Sequence, residues 1–158
     1  MTLQRTAWTR RRALLALAAG GAADGVRAAA PSLPPSQSLQ GELARALAAR
    51  QPLVVMVSLH GCPWCKLVRE HYLAPMHAQE GLPVVQIGMG GTHATRTVAG
   101  ERTTHGALVR AWGVKLAPTV LFLGPDGREV AERLVGGSPD FYGAYLDQRL
   151  ARARRAVA

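Results

Sequence analysis

The pattern of apolar and polar positions from residue 39 onward predicts an alternation of helices and strands. Apolar side chains recur three and four residues apart over residues 39–50, which is typical of an amphipathic helix, and Ser38 is suited to cap its first turn. A short continuous apolar run spans residues 53–57, and mainly apolar segments of similar length span residues 82–87 and 119–123. Runs of this length predict strands that are buried on both faces of a sheet.

The remaining segments complete the order of elements. A helix that follows residue 61 should reach about His77, and Pro75 should kink or end it. The other elements are a helix over residues 105–112 capped by Thr103 or Thr104, a strand over residues 128–135 that follows a turn at residues 124–127, and a final helix capped within residues 138–140. The order αβαβαββα predicts an α/β domain in which helices cover both faces of a mixed sheet.

The first thirty residues have the character of an export signal. A cluster of three arginines at residues 10–12 leads into a short stretch rich in Ala and Leu. That stretch is too short and too interrupted by glycine to span a bilayer, which takes about 20 apolar residues. We therefore expect residues 1–30 to be a twin-arginine-like signal peptide, cleaved near Ala28 or Ala30, and the protein to be periplasmic. The general secretory route is the alternative.

The composition also bears on domain organisation and on partners. Residues 31–38 are rich in Pro and Ser, so we expect a linker there and a single domain over residues 39–155. The net charge of +9 could indicate a nucleic-acid partner, but residues 1–30 carry +4 and four arginines near the C-terminus carry another four. The rest of the chain holds a net charge of only +1. We therefore expect no nucleic-acid partner.

The candidate chemistry lies in Cys62-Pro63-Trp64-Cys65, where a predicted buried strand gives way to a helix. Unpaired amides and the dipole at the helix start favour a thiolate at Cys62, and Pro63 costs the first turn no hydrogen bond. Cys65 lies on the same helical face and is close enough to form a disulfide with Cys62. A passive surface disulfide and a metal site that adds His60 are the alternatives. Because no further ligands occur at metal-site spacing, we expect no metal and no cofactor.

Taken together, these residues resemble the thioredoxin superfamily over about residues 39–152. The resemblance rests on the strand, Cys-x-x-Cys and helix unit, on Ala117-Pro118-Thr119 before a strand, and on a hairpin at Gly127. The chain is similar in particular to small exported bacterial thioredoxin-like proteins, including those associated with sulfur oxidation. The resemblance implies a thioredoxin-like fold with a central mixed sheet of about four strands, flanked by helices and without the N-terminal strand of thioredoxin.

The resemblance also implies an enzyme that exchanges thiols and disulfides with protein substrates. Cys62 and Cys65 would form the redox disulfide, with Cys62 attacking and Cys65 resolving. Pro118 would follow a cis peptide bond and turn the backbone of Ala117 toward a substrate chain, on which an exposed Trp64 would pack. We expect a monomer with a membrane-linked redox partner, and the direction of transfer stays open. A copper-binding chaperone and a non-catalytic adaptor are the alternatives.

The chain departs from the family pattern at three places. Met56 stands where efficient reductants of the family hold a buried acid, so the proton of Cys65 must pass to water, the substrate or another group. The inner pair of the motif is Pro-Trp instead of Gly-Pro. Residues 88–106 are longer than the equivalent segment of thioredoxin, and we expect them to form a flexible loop beside the active site.

Four other side chains receive simple predictions. His71 and His77 should face solvent, and Trp112 should lie in the core. His60 could support a thiolate at Cys62 when it is protonated, or it could be an ordinary loop residue.

Overall fold

A computed structural model describes residues 32–137 and 140–158; the expected export signal, with cleavage near Ala28 or Ala30, lies outside them. The helices are α1 (Leu39–Ala48), α2 (Pro63–Val68), α3 (Ala74–Glu80), α4 (His105–Ala111) and α5 (Tyr142–Val157). The strands are β1 (Leu53–Ser58), β2 (Val84–Gly88), β3 (Ala94–Arg96), β4 (Arg102–Thr104), β5 (Thr119–Leu123) and β6 (Glu129–Val135).

The central sheet has four strands in the order β2-β1-β5-β6. β1 runs parallel to β2 and antiparallel to β5, and β5 and β6 form the terminal hairpin. Helices cover both faces, so every residue of β1 and β5 is buried. The mixed α/β sheet predicted from the order of elements is confirmed.

Residues 33–36 pack on this sheet, although their composition indicates a linker. The N–H of Ser36 donates to the carbonyl of Gln86 at 3.0 Å, and the N–H of Gln86 donates to the carbonyl of Pro34 at 2.8 Å. This short pairing is parallel and lies along the outer edge of β2. Leu33 is only 6% exposed and belongs to the core. Backbone groups at the sheet edge and a buried leucine therefore hold a segment that proline content alone suggests to be free.

The helix after Cys62 continues past Pro75 instead of ending there. α2 passes into a π-helical turn, Arg69–Leu73, and α3 follows directly with Pro75 in its first turn. The π-helical turn interrupts the regular helical hydrogen bonds directly before Pro75, which has no N–H to contribute to them. The helix ends at Gly81, which has the left-handed φ of 68° that glycine adopts readily.

Within residues 88–106, where we expected a flexible loop, residues 94–104 form a hairpin. β3 and β4 pair in it as a second, two-stranded sheet. The hydroxyl of Thr95 is buried and lies 3.2 Å from the hydroxyl of Ser36. Val98 at the tip of the hairpin packs closely on Gly127. A β-carbon on Gly127 would lie only 2.7 Å from Cγ2 of Val98. Gly127 lies beyond the end of β5 that is remote from Cys62, so the tip of the hairpin is directed away from the cysteines.

The predicted caps of α1 and α4 are correct, whereas residues 138–139 of the cap predicted for the last helix lie outside the described residues. Ser38 and Thr104 accept hydrogen bonds from the first-turn amides of α1 and α4. α5 begins later than predicted, at Tyr142, because Phe141 has a left-handed φ of 62° that interrupts a helix. Of the helices within the described ranges, none is both long and apolar enough to cross a bilayer.

The structure agrees with the predictions for His71 and Trp112 and differs from the prediction for His77. His71 is exposed, and Trp112 packs against the core cluster beneath α1 and α4 while staying half-buried. His77 does not face solvent freely. Its Nδ1 lies 2.8 Å from the carbonyl of Leu82, so the ring fastens the end of α3 to the chain that follows.

We expect Leu33→Ala to lower the free energy of unfolding by about 2–4 kcal/mol, because it removes a buried side chain from the core. Leu116→Ala is the matched control, since Leu116 is 61% exposed and should change stability by less than about 0.5 kcal/mol. Urea denaturation of both variants measures the difference. Equal effects would contradict the packing of residues 33–36 on the sheet.

Candidate active site

The Cys-Pro-Trp-Cys motif lies at the junction between β1 and α2. Cys62 has an extended backbone, with φ −78° and ψ 116°, and occupies the position that caps α2. Its Sγ accepts a hydrogen bond from the N–H of Cys65 at 3.1 Å. Pro63 begins the helix, where its missing amide leaves no hydrogen bond unmade. The sulfur of Cys62 thus meets the amide-rich start of the helix, as the sequence predicts.

The two cysteines differ in their exposure. Cys62 is half-buried, whereas Cys65 is 1% exposed and belongs to the core cluster. Burial raises the pKa of the Cys65 thiol above its ordinary value, and the neighbouring Cys62 raises it further. The N–H of Leu59, 3.5 Å from Sγ, and the hydroxyl of Ser58 act in the opposite direction on this pKa without cancelling the effect of burial. Sequence analysis did not identify Ser58, because a serine at a strand end has no distinctive pattern.

Ala117 and Pro118 lie directly against the motif. The peptide bond between them is cis, as the resemblance implied. The thiol of Cys62 donates to the carbonyl of Ala117 at 3.8 Å, a long hydrogen bond that sulfur permits. A β-carbon on Gly137 would lie 3.0 Å from Cβ of Trp64 and 3.2 Å from Cγ of Pro118. The structure therefore brings all the predicted site residues together, and it adds Gly137 as the residue that lets them approach.

Trp64 is exposed beside Cys62. Its side chain has 48% of its surface in contact with solvent, which agrees with the prediction of an exposed aromatic. Leu116, which precedes the cis peptide bond, is also exposed at 61%. Exposed large apolar side chains such as these provide a surface on which another chain can pack.

A cleft of about 520 Å³ lies on another side of Cys62. Its lining residues include Ser58, His60, Cys62, Lys66, Arg69 and Gln86, and they include neither Trp64 nor Ala117. The exposed His60 therefore shares this cleft with Cys62. The cleft was not predicted, because it is formed by residues from β1, β2 and the helix after the motif.

Neither a buried acid nor a cluster of metal ligands accompanies the cysteines in the part of the chain that the structure describes. Met56 is fully buried in the same core cluster as Cys65. Within residues 32–137 and 140–158, three or more His, Cys, Asp or Glu side chains do not come together as a possible metal site.

Comparisons with known proteins bear on the family and the fold of the chain. The sequence profile of a family described as "Thioredoxin-like domain" matches residues 39–148. A poplar thioredoxin h superposes with a TM-score of 0.52 at 18% identity, covering 72% of this chain and 94% of its own. Thioredoxin NaTrxh from Nicotiana alata gives a TM-score of 0.49 at 20% identity, covering 75% and 97%. No match is found among curated proteins. The profile covers most of the chain, and the chain therefore belongs to the thioredoxin-like family.

Proposed function

We propose that the protein is a thiol–disulfide oxidoreductase whose redox pair is Cys62 and Cys65. The observation that carries the proposal is the arrangement of the pair at the start of α2. Cys62 is accessible, and its Sγ accepts a hydrogen bond from the N–H of Cys65, whereas the thiol of Cys65 is buried directly behind it. This arrangement supplies one thiol that a substrate can reach. The second thiol is shielded from free substrate and is placed to react with a mixed disulfide formed at Cys62.

The proposed reaction has two exchange steps. The thiolate of Cys62 attacks one sulfur of a client disulfide, so a bond forms between protein and client while the other client sulfur leaves as a thiolate. Cys65 then loses its proton, and its thiolate attacks the sulfur of Cys62. The Cys62–Cys65 disulfide forms, the second client thiolate leaves, and two electrons have passed from the pair to the client. The reverse sequence transfers a disulfide to a client.

Three neighbours of Cys62 would hold the client chain. An extended client segment can pair with the backbone at Ala117, as an added strand, while Trp64 packs on its side chains. The 3.8 Å separation between the Ala117 carbonyl and the Cys62 sulfur supports this placement, because a chain paired there lies next to the attacking atom. Pro118 has no N–H and shapes the backbone that presents Ala117.

We assign to Ser58 a positioning role in the second step. Cys65 is shielded from solvent, and Met56 cannot take its proton. The hydroxyl of Ser58 interacts with Cys65 in the direction that lowers its pKa, and Ser58 also lines the cleft beside Cys62. A hydroxyl in that place can donate to the forming thiolate while the proton moves toward the cleft.

The cellular setting of the proposal rests on the expected export signal. The periplasm is an oxidising compartment, so the client proteins of an exported enzyme contain disulfides that form and persist there. In that setting, we propose that a membrane-linked redox partner returns the pair to its starting state and that the protein acts as a monomer. The model-disulfide test that follows depends on none of these three points.

The first test is disulfide reduction by the fully reduced protein. We expect wild-type protein to reduce a model protein disulfide stoichiometrically and Cys62→Ser to lose this activity completely, because the remaining thiol, Cys65, is buried. Cys65→Ser should instead accumulate a mixed disulfide that mass spectrometry detects. Unchanged activity in Cys62→Ser would contradict the proposal and would favour the alternative of a non-catalytic adaptor. Tight stoichiometric Cu(I) binding by the reduced protein, without exchange, would favour the copper chaperone.

The second test is the pH dependence of the resolving step. Because burial raises the pKa of Cys65, its thiolate fraction is small at neutral pH and should grow about tenfold per pH unit until the pH passes that pKa. Decay of a mixed disulfide formed at Cys62 should accelerate in the same way. Ser58→Ala should raise the pKa further and slow decay about three- to tenfold at neutral pH, with the two rates converging at high pH.

The control for Ser58→Ala is Ser32→Ala, at an exposed serine. A decay rate that does not depend on pH in the wild type would contradict the assigned role of Cys65. A loss in Ser58→Ala that is equal at every pH would show a structural effect instead of a positioning one.

A further inference from the structure

The cleft beside Cys62 has a charge pattern of its own. The charged side chains among its lining residues are Lys66 and Arg69, and His60 adds a titratable ring. Of the described residues that line it, none is acidic. A concave site with one sign of charge concentrates the field at its floor and attracts ligands of the opposite sign.

The periodicity of the helix explains why these two cations share the cleft. Pro63, Lys66 and Arg69 are spaced three residues apart, which places them on one side of the helix. Cys65 and Val68 lie on the side that packs into the core. The same helix therefore buries the resolving thiol and directs two positive charges to the surface beside the attacking thiol.

The charge of these two residues is only partly compensated. Arg69 reaches Oε1 of Glu70 at 3.6 Å and Oε1 of Gln86 at 3.5 Å, both long for strong contacts. Glu70 itself does not line the cleft. Lys66 is exposed and has no ion-pair partner among the residues that the structure describes. A client group could therefore pair with either cation at little cost.

We propose that this cleft binds a carboxylate of the client, so that disulfides flanked by an acidic residue are the preferred substrates; this inference rests on the proposed exchange reaction. A volume of about 520 Å³ accommodates an acidic side chain together with a neighbouring residue. The carboxylate would come from a protein client, because the surface formed by Trp64 and Ala117 on the other side of Cys62 suits a peptide chain.

The selectivity would act mainly on the rate of encounter and on the orientation of the client. Opposite charges near the attacking sulfur steer an acidic segment toward it and repel a basic one. Backbone pairing at Ala117 does not depend on the side chains of the client. The two cations do select by side chain, because they favour an acidic residue at a defined distance from the client cysteine. Lys66 and Arg69 are thus specificity residues and not catalytic ones.

The experiment compares three peptide disulfides of equal length that carry Glu, Gln or Lys two residues from the cysteine. We expect the reduced wild-type protein to react with the Glu peptide about three- to tenfold faster than with the Gln peptide, and slowest with the Lys peptide. The ratio of the Glu to the Gln rate should fall toward one at high salt, because salt screens charges in solvent. It should also fall in Lys66→Gln and in Arg69→Gln.

Two further variants make the result decisive. Arg128→Gln removes an equal charge at a side chain that is 79% exposed in the turn before β6, and it should leave the ratio unchanged. Glu70→Gln removes the partial partner of Arg69 and should increase the ratio, a gain that misfolding cannot produce. Equal Glu and Gln rates in the wild type would overturn this inference while exchange itself stands. Failure with all three peptides would instead overturn the proposed function.

Discussion

The burial of β1 on both of its faces is the constraint on which the rest of the structure depends. Val54 and Met56 pack into the cluster beneath the motif helix and α5, whereas Val55 and Val57 pack into the cluster beneath α1 and α4. β2 and β5 pair with β1 on either side, so its backbone N–H and carbonyl groups have hydrogen-bond partners along both edges. A shift of one residue would exchange the two sets of side chains between clusters of different shape, so the register is strongly determined. The position where β1 ends, and with it the position of Cys62, follows from this packing.

The chemical difference between the two cysteines follows from the same packing. The helix that begins after β1 must cover one face of the sheet, and residues on its inner side are removed from water. Cys65 falls on that inner side, whereas Cys62 caps the helix at its margin. Burial raises the pKa of Cys65, so position on the helix separates an accessible thiol from a buried thiol that loses its proton less readily. In the proposed reaction this separation prolongs the mixed disulfide with the client.

The sequence predicted features whose cause is local and missed those that join distant segments. Mainly apolar segments predicted β1, β2 and β5, and the motif at the end of β1 predicted the pairing of an accessible cysteine with a second one on the helix. The hydrogen bonds of Ser36 and the contact of Thr95 with it were not predictable, because the hydroxyls of the two are joined across 59 residues. The cis bond at Pro118 came from family resemblance and not from periodicity. The course of the helix past Pro75 depends on a π-helical turn that no simple pattern announces.

Cys62 lies between two surfaces of different chemistry, and the difference bears on how a client would be chosen. The surface at Trp64 and Ala117 offers apolar contact and backbone groups, which almost any extended chain can use. The cleft at Lys66 and Arg69 offers positive charge, which only some chains can use. Affinity from the first surface without the second would give a general exchanger. In the proposed reaction, a client that contacts both surfaces would be held in register with the sulfur of Cys62, and discrimination between clients would arise at the charged side.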